Sequence, residues 1–281
     1  MHKILAIDDK KDNLITLSAL LTNLMPGWDS SVIWGSINAR SVRDEHGTLT
    51  YFEGTFEDIT KRKKAEESLI HTMDNLRKSM GSIIQVVAAV VETRDPYTAG
   101  HQKRVSNLAR AIATEMDLSS ESIEGVRTVA MIHDIGKISI PAEILSKPGK
   151  LTNLELDLIK THSQVGYDIL KGIKFPWPIA DIIYQHHERL DGSGYPQGLK
   201  DGDICLEAKI ISVADVVEAI ASHRPYRPAK GIDAALDEIE KNKGILYDAV
   251  VVEACLHLCR ERSFKLISNI HENRPIGRKG K

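Results

Sequence analysis

MIHDIGKISIP, residues 131–141, interrupts a helix at the point where it should be settling into a core. The run before it, EGVRTVAM (124–131), spaces its apolar residues as one face of an amphipathic helix. Then His133 and Asp134 stand side by side, followed by a glycine, a lysine and a proline. An imidazole and a carboxylate placed where a helix enters the core need partners, because burying either alone is costly.

Working outward from this doublet, the same kind of residue recurs. His101 lies in YTAGHQKRV ahead of the apolar face Val105, Leu108, Ala109 and Ile112, and His162 lies in the helical run IKTHSQVGYDIL. His186 and His187 form a second doublet in IIYQHHERLDGSGYP, and Asp215 sits in IISVADVVEAI. A lone helical histidine is ordinarily a hydrogen-bonded core residue. Seven such groups near the core-facing sides of their helices point instead to a bound cation that their nitrogens and oxygens ligate.

Imidazole with carboxylate and no thiolate suits iron or manganese, with zinc also compatible. Five histidines and two aspartates exceed one ion's needs, so two divalent ions are expected. Neighbouring residues on a helix point about 100° apart, so a doublet can address two adjacent ions. Asp134, with two oxygens, is the bridging candidate. Paired ions suit phosphate-ester hydrolysis, in which a trapped hydroxide attacks and the metals stabilise the entering and leaving oxygens.

His101, the pair His133–Asp134 and Asp215 resemble the H…HD…D set of HD-domain phosphohydrolases, and HHERLDGSGYPQGL resembles the signature of the HD-GYP group. The resemblance covers roughly residues 91–258. It implies a mainly α helical bundle that hydrolyses cyclic di-GMP to pGpG or on to GMP by a metal-bridging hydroxide. By position it makes His101, His133, Asp134, His162, His186, His187 and Asp215 the metal ligands. Asp134 and Lys137 then carry the chemistry, and Lys137, Arg224 and Arg227 bind substrate phosphates. The place of a glutamate that supports a third metal in some members holds Tyr97, so two ions are expected rather than three. The loop with Gly192, Gly194, Gly198 and Gly202 looks like a cover over the site and a contact surface for diguanylate cyclases. Alternatives within the same residues are another nucleotide, a mixed cyclic dinucleotide, or a module that binds without turnover.

The front of the chain is different. Residues 1–28 open with KILAIDD and a helical run, resembling the first strand and helix of a receiver domain with Asp8 and Asp9 as its acidic pair. No further βα units follow, so a remnant without phosphorelay is expected. Residues 29–60 alternate polar and apolar residues around a DEHG turn, a hairpin pattern resembling the last strands of a PAS domain and closing on DIT. Residues 61–94 read as one helix, with Leu69, Met73, Leu76, Met80, Ile83, Val87 and Val90 alternating at four and three. That is a coiled-coil seam and predicts a homodimer, against the plainer reading of a helix packed on its own domain. The expected organisation is therefore a small truncated α/β region, this linker helix, an HD-GYP domain over 95–262 and a tail over 263–281.

The net charge of −2 over 281 residues gives no reason to expect a nucleic-acid polymer or an anionic membrane as partner. No apolar run approaches the roughly 20 residues of a membrane span. The opening MHKILAIDDKKD turns charged within ten positions, so no secretory leader is expected. Cys205, Cys255 and Cys259 form no paired framework, and a reducing cytoplasmic location is expected. Tyr247 and Asp248 in GILYDAVVVEA are read as structural.

Overall fold

The computed structural model describes residues 34–94, 100–222, 230–262, 264 and 266. The receiver-like stretch with Asp8 and Asp9, and nearly all of the tail, lie outside the described residues. The rest is mostly helical, as the residue periodicity predicts. It divides into two units at Met80/Gly81.

The first unit holds an antiparallel hairpin, β1 (Gly35–Arg43) and β2 (Leu49–Asp58), paired from Gly35 with Asp58 to Arg43 with Leu49. The DEHG turn closes because the Asp44 carboxylate accepts from the backbone N–H groups of His46 and Thr48, both at 2.9 Å. Gly47 takes the left-handed φ of 76° that the turn requires. The DIT residues convert strand to helix in the same way: Asp58 accepts from the N–H of Thr60 at 2.9 Å. Helix α1 (Thr60–Arg94) follows without a break. Leu69, Met73, Leu76, Ile83 and Val90 are exposed along it, so most of the proposed seam is uncovered among the described residues. Val87 departs from that reading. With Ile84 and Val91, which like it belong to the second unit, it packs into that unit's own core.

The second unit is a helical bundle. Its helices are α2 (His101–Glu115), α3 (Ser120–Ile132), α4 (Ala142–Leu145), α5 (Asn153–Lys160), α6 (His162–Leu170), α7 (Ile179–Gln185), α8 (Leu206–Ala221), α9 (Ile232–Lys241) and α10 (Ala249–Arg260). Helices α2, α3 and α8 enclose the centre of the core, where Leu108, Ile112, Val129, Ile211 and Val217 are fully buried. Asp248 starts α10 by accepting from the N–H groups of Val250 and Val251, which gives Tyr247–Asp248 the structural part expected of it. Cys255 is buried in the core face of the same helix, and all three cysteines are free thiols. Among the described residues, no helix is long and apolar enough to cross a membrane.

Candidate metal centre

The interruption in MIHDIGKISIP is a change of helix type. Helix α3 stops at Ile132, His133 caps its C-terminus, and Asp134 leads into a 3₁₀ turn, Ile135–Ser139. Gly136 lets that turn lie against the start of α6: a Cβ there would sit 1.9 Å from the carbonyl oxygen of His162. The other histidines also fall at helix ends. His101 opens α2, His162 opens α6 directly after α5, and His186 caps α7 with His187 next to it. Asp215 alone comes from mid-helix, in α8.

Helix ends matter because their last carbonyls have no intrahelical donor. Three of the histidines supply one. His133 donates from Nδ1 to the carbonyl of Ala130 at 2.8 Å, His162 to that of Ile159 at 2.7 Å, and His186 to that of Ile183 at 2.6 Å. A carbonyl can only accept, so in each ring Nδ1 carries the proton and Nε2 of the neutral ring is a lone pair. Those lone pairs converge. Nε2 of His162 and Nε2 of His186 lie 3.3 Å apart, and Nε2 of His133 is buried with no hydrogen-bond partner.

All seven residues singled out by spacing come together, in two sets joined by a third, His133, Asp134 and His186. His101, His133 and Asp215 can present one ligand atom each within 4.8 Å of one another, and so can His162, His186 and His187. Asp134 lies between the sets. Its Oδ2 is 3.5 Å from Nε2 of His133 and 3.8 Å from Nε2 of His101, while its Oδ1 is 3.6 Å from Nε2 of His162. Asp215 Oδ1 is 3.3 Å from Nε2 of His101. Converging lone pairs and carboxylate oxygens with no proton between them are a donor set for cations, so the residues present fit a divalent metal pair.

Lys137, one turn after Asp134, reaches Asp134 Oδ2 at 2.7 Å. Arg224 and Arg227, like Tyr97, lie outside the described residues. Four supporting residues were not picked out from spacing. Gln102 donates to Asp134 Oδ2 at 3.3 Å. Glu218 bonds Nδ1 of His101 and is held by Arg104. Glu188, directly after the second doublet, accepts from the N–H groups of Gln197 and Leu199 at 2.7 and 3.0 Å and so folds the glycine-rich loop back. That loop lays the ring of Tyr195 on His187, centroids 4.7 Å apart. Gly194 is needed for this return, since a Cβ there would meet the Glu188 backbone at 2.4 Å. Glu218 lies three residues beyond Asp215 on the same helix, a spacing that does not by itself distinguish it from a solvated glutamate.

Burial pushes His162 down to about 4 and His186 down to about 3; for His186 the neighbouring imidazoles add to it. Burial would raise Asp134, but the Lys137 ammonium and the surrounding imidazoles outweigh it and hold the carboxyl well below its usual range. The sign of the resulting pH dependence is set by the unfolded chain. Its histidines take up protons near 6.5, while the native ones stay neutral until roughly pH 4 to 3. The stabilisation is therefore complete above 6.5 and is lost as pH falls toward the native values, on the order of a few kcal/mol for the pair. Chelator-treated protein is expected to melt at a nearly constant temperature from pH 7.5 to about 6.5 and at steadily lower temperature from there to pH 5. A flat profile would mean that the rings are not held neutral.

Residues 85–251, more than half of the chain, match the HD domain family (HD_5). The chain belongs to the HD domain family. Among relatives of this HD domain chain, the cyclic di-GMP phosphodiesterase response regulator RpfG of Xanthomonas campestris pv. campestris (strain 8004) is 37% identical over 223 residues, covering 78% of the chain and 59% of the relative. A cyclic di-GMP phosphodiesterase of Thermotoga maritima is 41% identical over 201 residues, covering 71% and 54%. The 3'3'-cGAMP-specific phosphodiesterase 3 of Vibrio cholerae is 38% identical over 160 residues, covering 57% and 35%. The HD domain chain thus spans little more than half the length of the first two relatives, and less of the third.

Proposed function

We propose that this HD domain chain is a metal-dependent phosphodiesterase that hydrolyses cyclic di-GMP to pGpG or GMP. The observation that carries the reading is the inward-facing lone-pair cluster: Nε2 of His162 and His186 at 3.3 Å and the unpartnered Nε2 of His133, with Asp134 between two three-residue sets. In this reading His101, His133 and Asp215 would hold one divalent ion and His162, His186 and His187 the other, with Asp134 as the ligand candidate between them. Iron and manganese suit the donors best. When bound, such ions supply Lewis-acid charge to phosphoryl oxygens and make water a stronger acid.

The chain's own groups do the rest. Lys137, placed at Asp134 Oδ2 beside the ligand sets, is assigned to pair with a phosphoryl oxygen of the substrate. Arg224 and Arg227 are assigned to the remaining phosphate charge. The Tyr195 ring, held by the Glu188-anchored loop, shields His187 from water. The loop is also assigned as a contact surface for diguanylate cyclases. Domain limits follow the sequence reading, with a receiver-like piece over 1–28, a PAS-like hairpin over 29–60, a linker helix over 61–94 and the hydrolase over 95–262. The exposed row Leu69, Met73 and Leu76 supports parallel pairing of two copies along α1, in the cytoplasm.

A second reading, a mixed cyclic dinucleotide as substrate, is favoured by the identity to the Vibrio cholerae relative. One experiment separates the possibilities. The full chain, loaded anaerobically with Fe²⁺ or Mn²⁺, is assayed on cyclic di-GMP and on 3'3'-cGAMP, and its mass is followed by sedimentation. Turnover of cyclic di-GMP by a dimer is expected. Turnover of 3'3'-cGAMP alone selects the second reading, binding without turnover of either overturns both, and a monomer at assay concentration overturns the pairing.

A further inference from the structure

The two ligand sets are backed differently. His133, His162 and His186 each rest Nδ1–H on a neutral backbone carbonyl. His101 rests its Nδ1 on a carboxylate, that of Glu218, which is fully buried. Glu218 is itself fixed: Oε1 accepts from Arg104 Nε and from the Ser222 hydroxyl, both at 2.7 Å, and Oε2 faces His101. A carboxylate behind a ligating imidazole raises its basicity and fixes its tautomer more strongly than a carbonyl does. The same set contains Asp215, while the other consists of three imidazoles, and Asp134 groups with one histidine of each, His133 and His186. Ligand charge count sets cation affinity. His187 is the partly exposed member of the second set, under the loop that carries Tyr195.

We propose that Glu218 is a positioning residue which, through His101, makes the His101–His133–Asp215 set the tighter and first-filled ion position, leaving His162–His186–His187 as the weaker, exchangeable one. The inference rests on the two-ion reading above. It adds that scarce metal yields a half-loaded chain, so that filling of the second position governs activity.

The test is a Mn²⁺ titration of the chelator-stripped full chain by calorimetry, which reads binding without turnover. Two steps per chain are expected, separated by about tenfold or more. Glu218→Gln is expected to weaken the first step by about 10–100-fold and to leave the second where it was. His187→Ala is expected to remove the second and spare the first. Should Glu218→Gln fail to fold, Ser222→Ala removes one of the bonds that fix the carboxylate and is expected to weaken the first step by a smaller factor. Two equal steps in the wild type, or variants at Glu218 or Ser222 that shift both steps alike or neither, would overturn the assignment. A wild-type chain that takes up no Mn²⁺ overturns the two-ion reading, and this one with it.

Discussion

Replacing Asp134 by asparagine is expected to abolish phosphodiester hydrolysis, by at least about a thousandfold, and to lower bound metal in the same sample. The substitution keeps the side chain's size and removes its charge. Asp134 is 2% exposed and, among the described residues, is the carboxylate whose two oxygens face both ligand sets. The amide removes the negative charge and replaces one oxygen by an NH2 group, which has no electron pair to offer a cation. Elemental analysis of protein purified without air, run beside the assay, reads both effects. Asp157→Asn supplies a control, since that carboxylate is 71% exposed on α5. Full turnover by the Asp134 variant would remove it from the centre.

The second large effect is expected at Gly136, through packing and not through charge. Its missing Cβ leaves room for the carbonyl oxygen of His162 and for the N–H side of Gly166, which a methyl would meet at 1.9 and 2.7 Å. Both obstacles are backbone, so relief requires the start of α6 to move, and His162 with it. Gly136→Ala is expected to cost about 1–3 kcal/mol or more, seen as a fall of several degrees in melting temperature for a domain of this size. Metal uptake should fall as well. Gly172→Ala, where nothing lies within 4 Å of the added carbon, should melt like the wild type. If Gly136→Ala did the same, the close approach of the 3₁₀ turn to α6 would be wrong.

How much of this could be read beforehand varies with the kind of signal. The seven ligand candidates were legible because histidine doublets and buried carboxylates are rare in apolar helical runs. Their placement at helix ends was not, since apolar periodicity runs straight through Ile132–His133 and Lys160–His162. Only backbone geometry shows that the chain turns there. Glu218 and Glu188 were illegible for the opposite reason: a glutamate on a helix or beside a loop is ordinarily solvated, and only three-dimensional packing places these two in the interior. The hairpin and α1 were legible from alternation and heptad spacing. Val87 was not, because a four-and-three pattern fits a partner helix and a helix's own core equally well.

The bonds from three rings to backbone carbonyls also bear on how this protein can vary. Ring pitch is inherited there from the trace of the main chain, so no other side chain has to be kept in step with it. A side-chain change elsewhere on the same helices leaves the rings' aim in place so long as the carbonyls of Ala130, Ile159 and Ile183 stay where they are. Drift is restrained instead where main chain meets main chain, at Gly136 and Gly194.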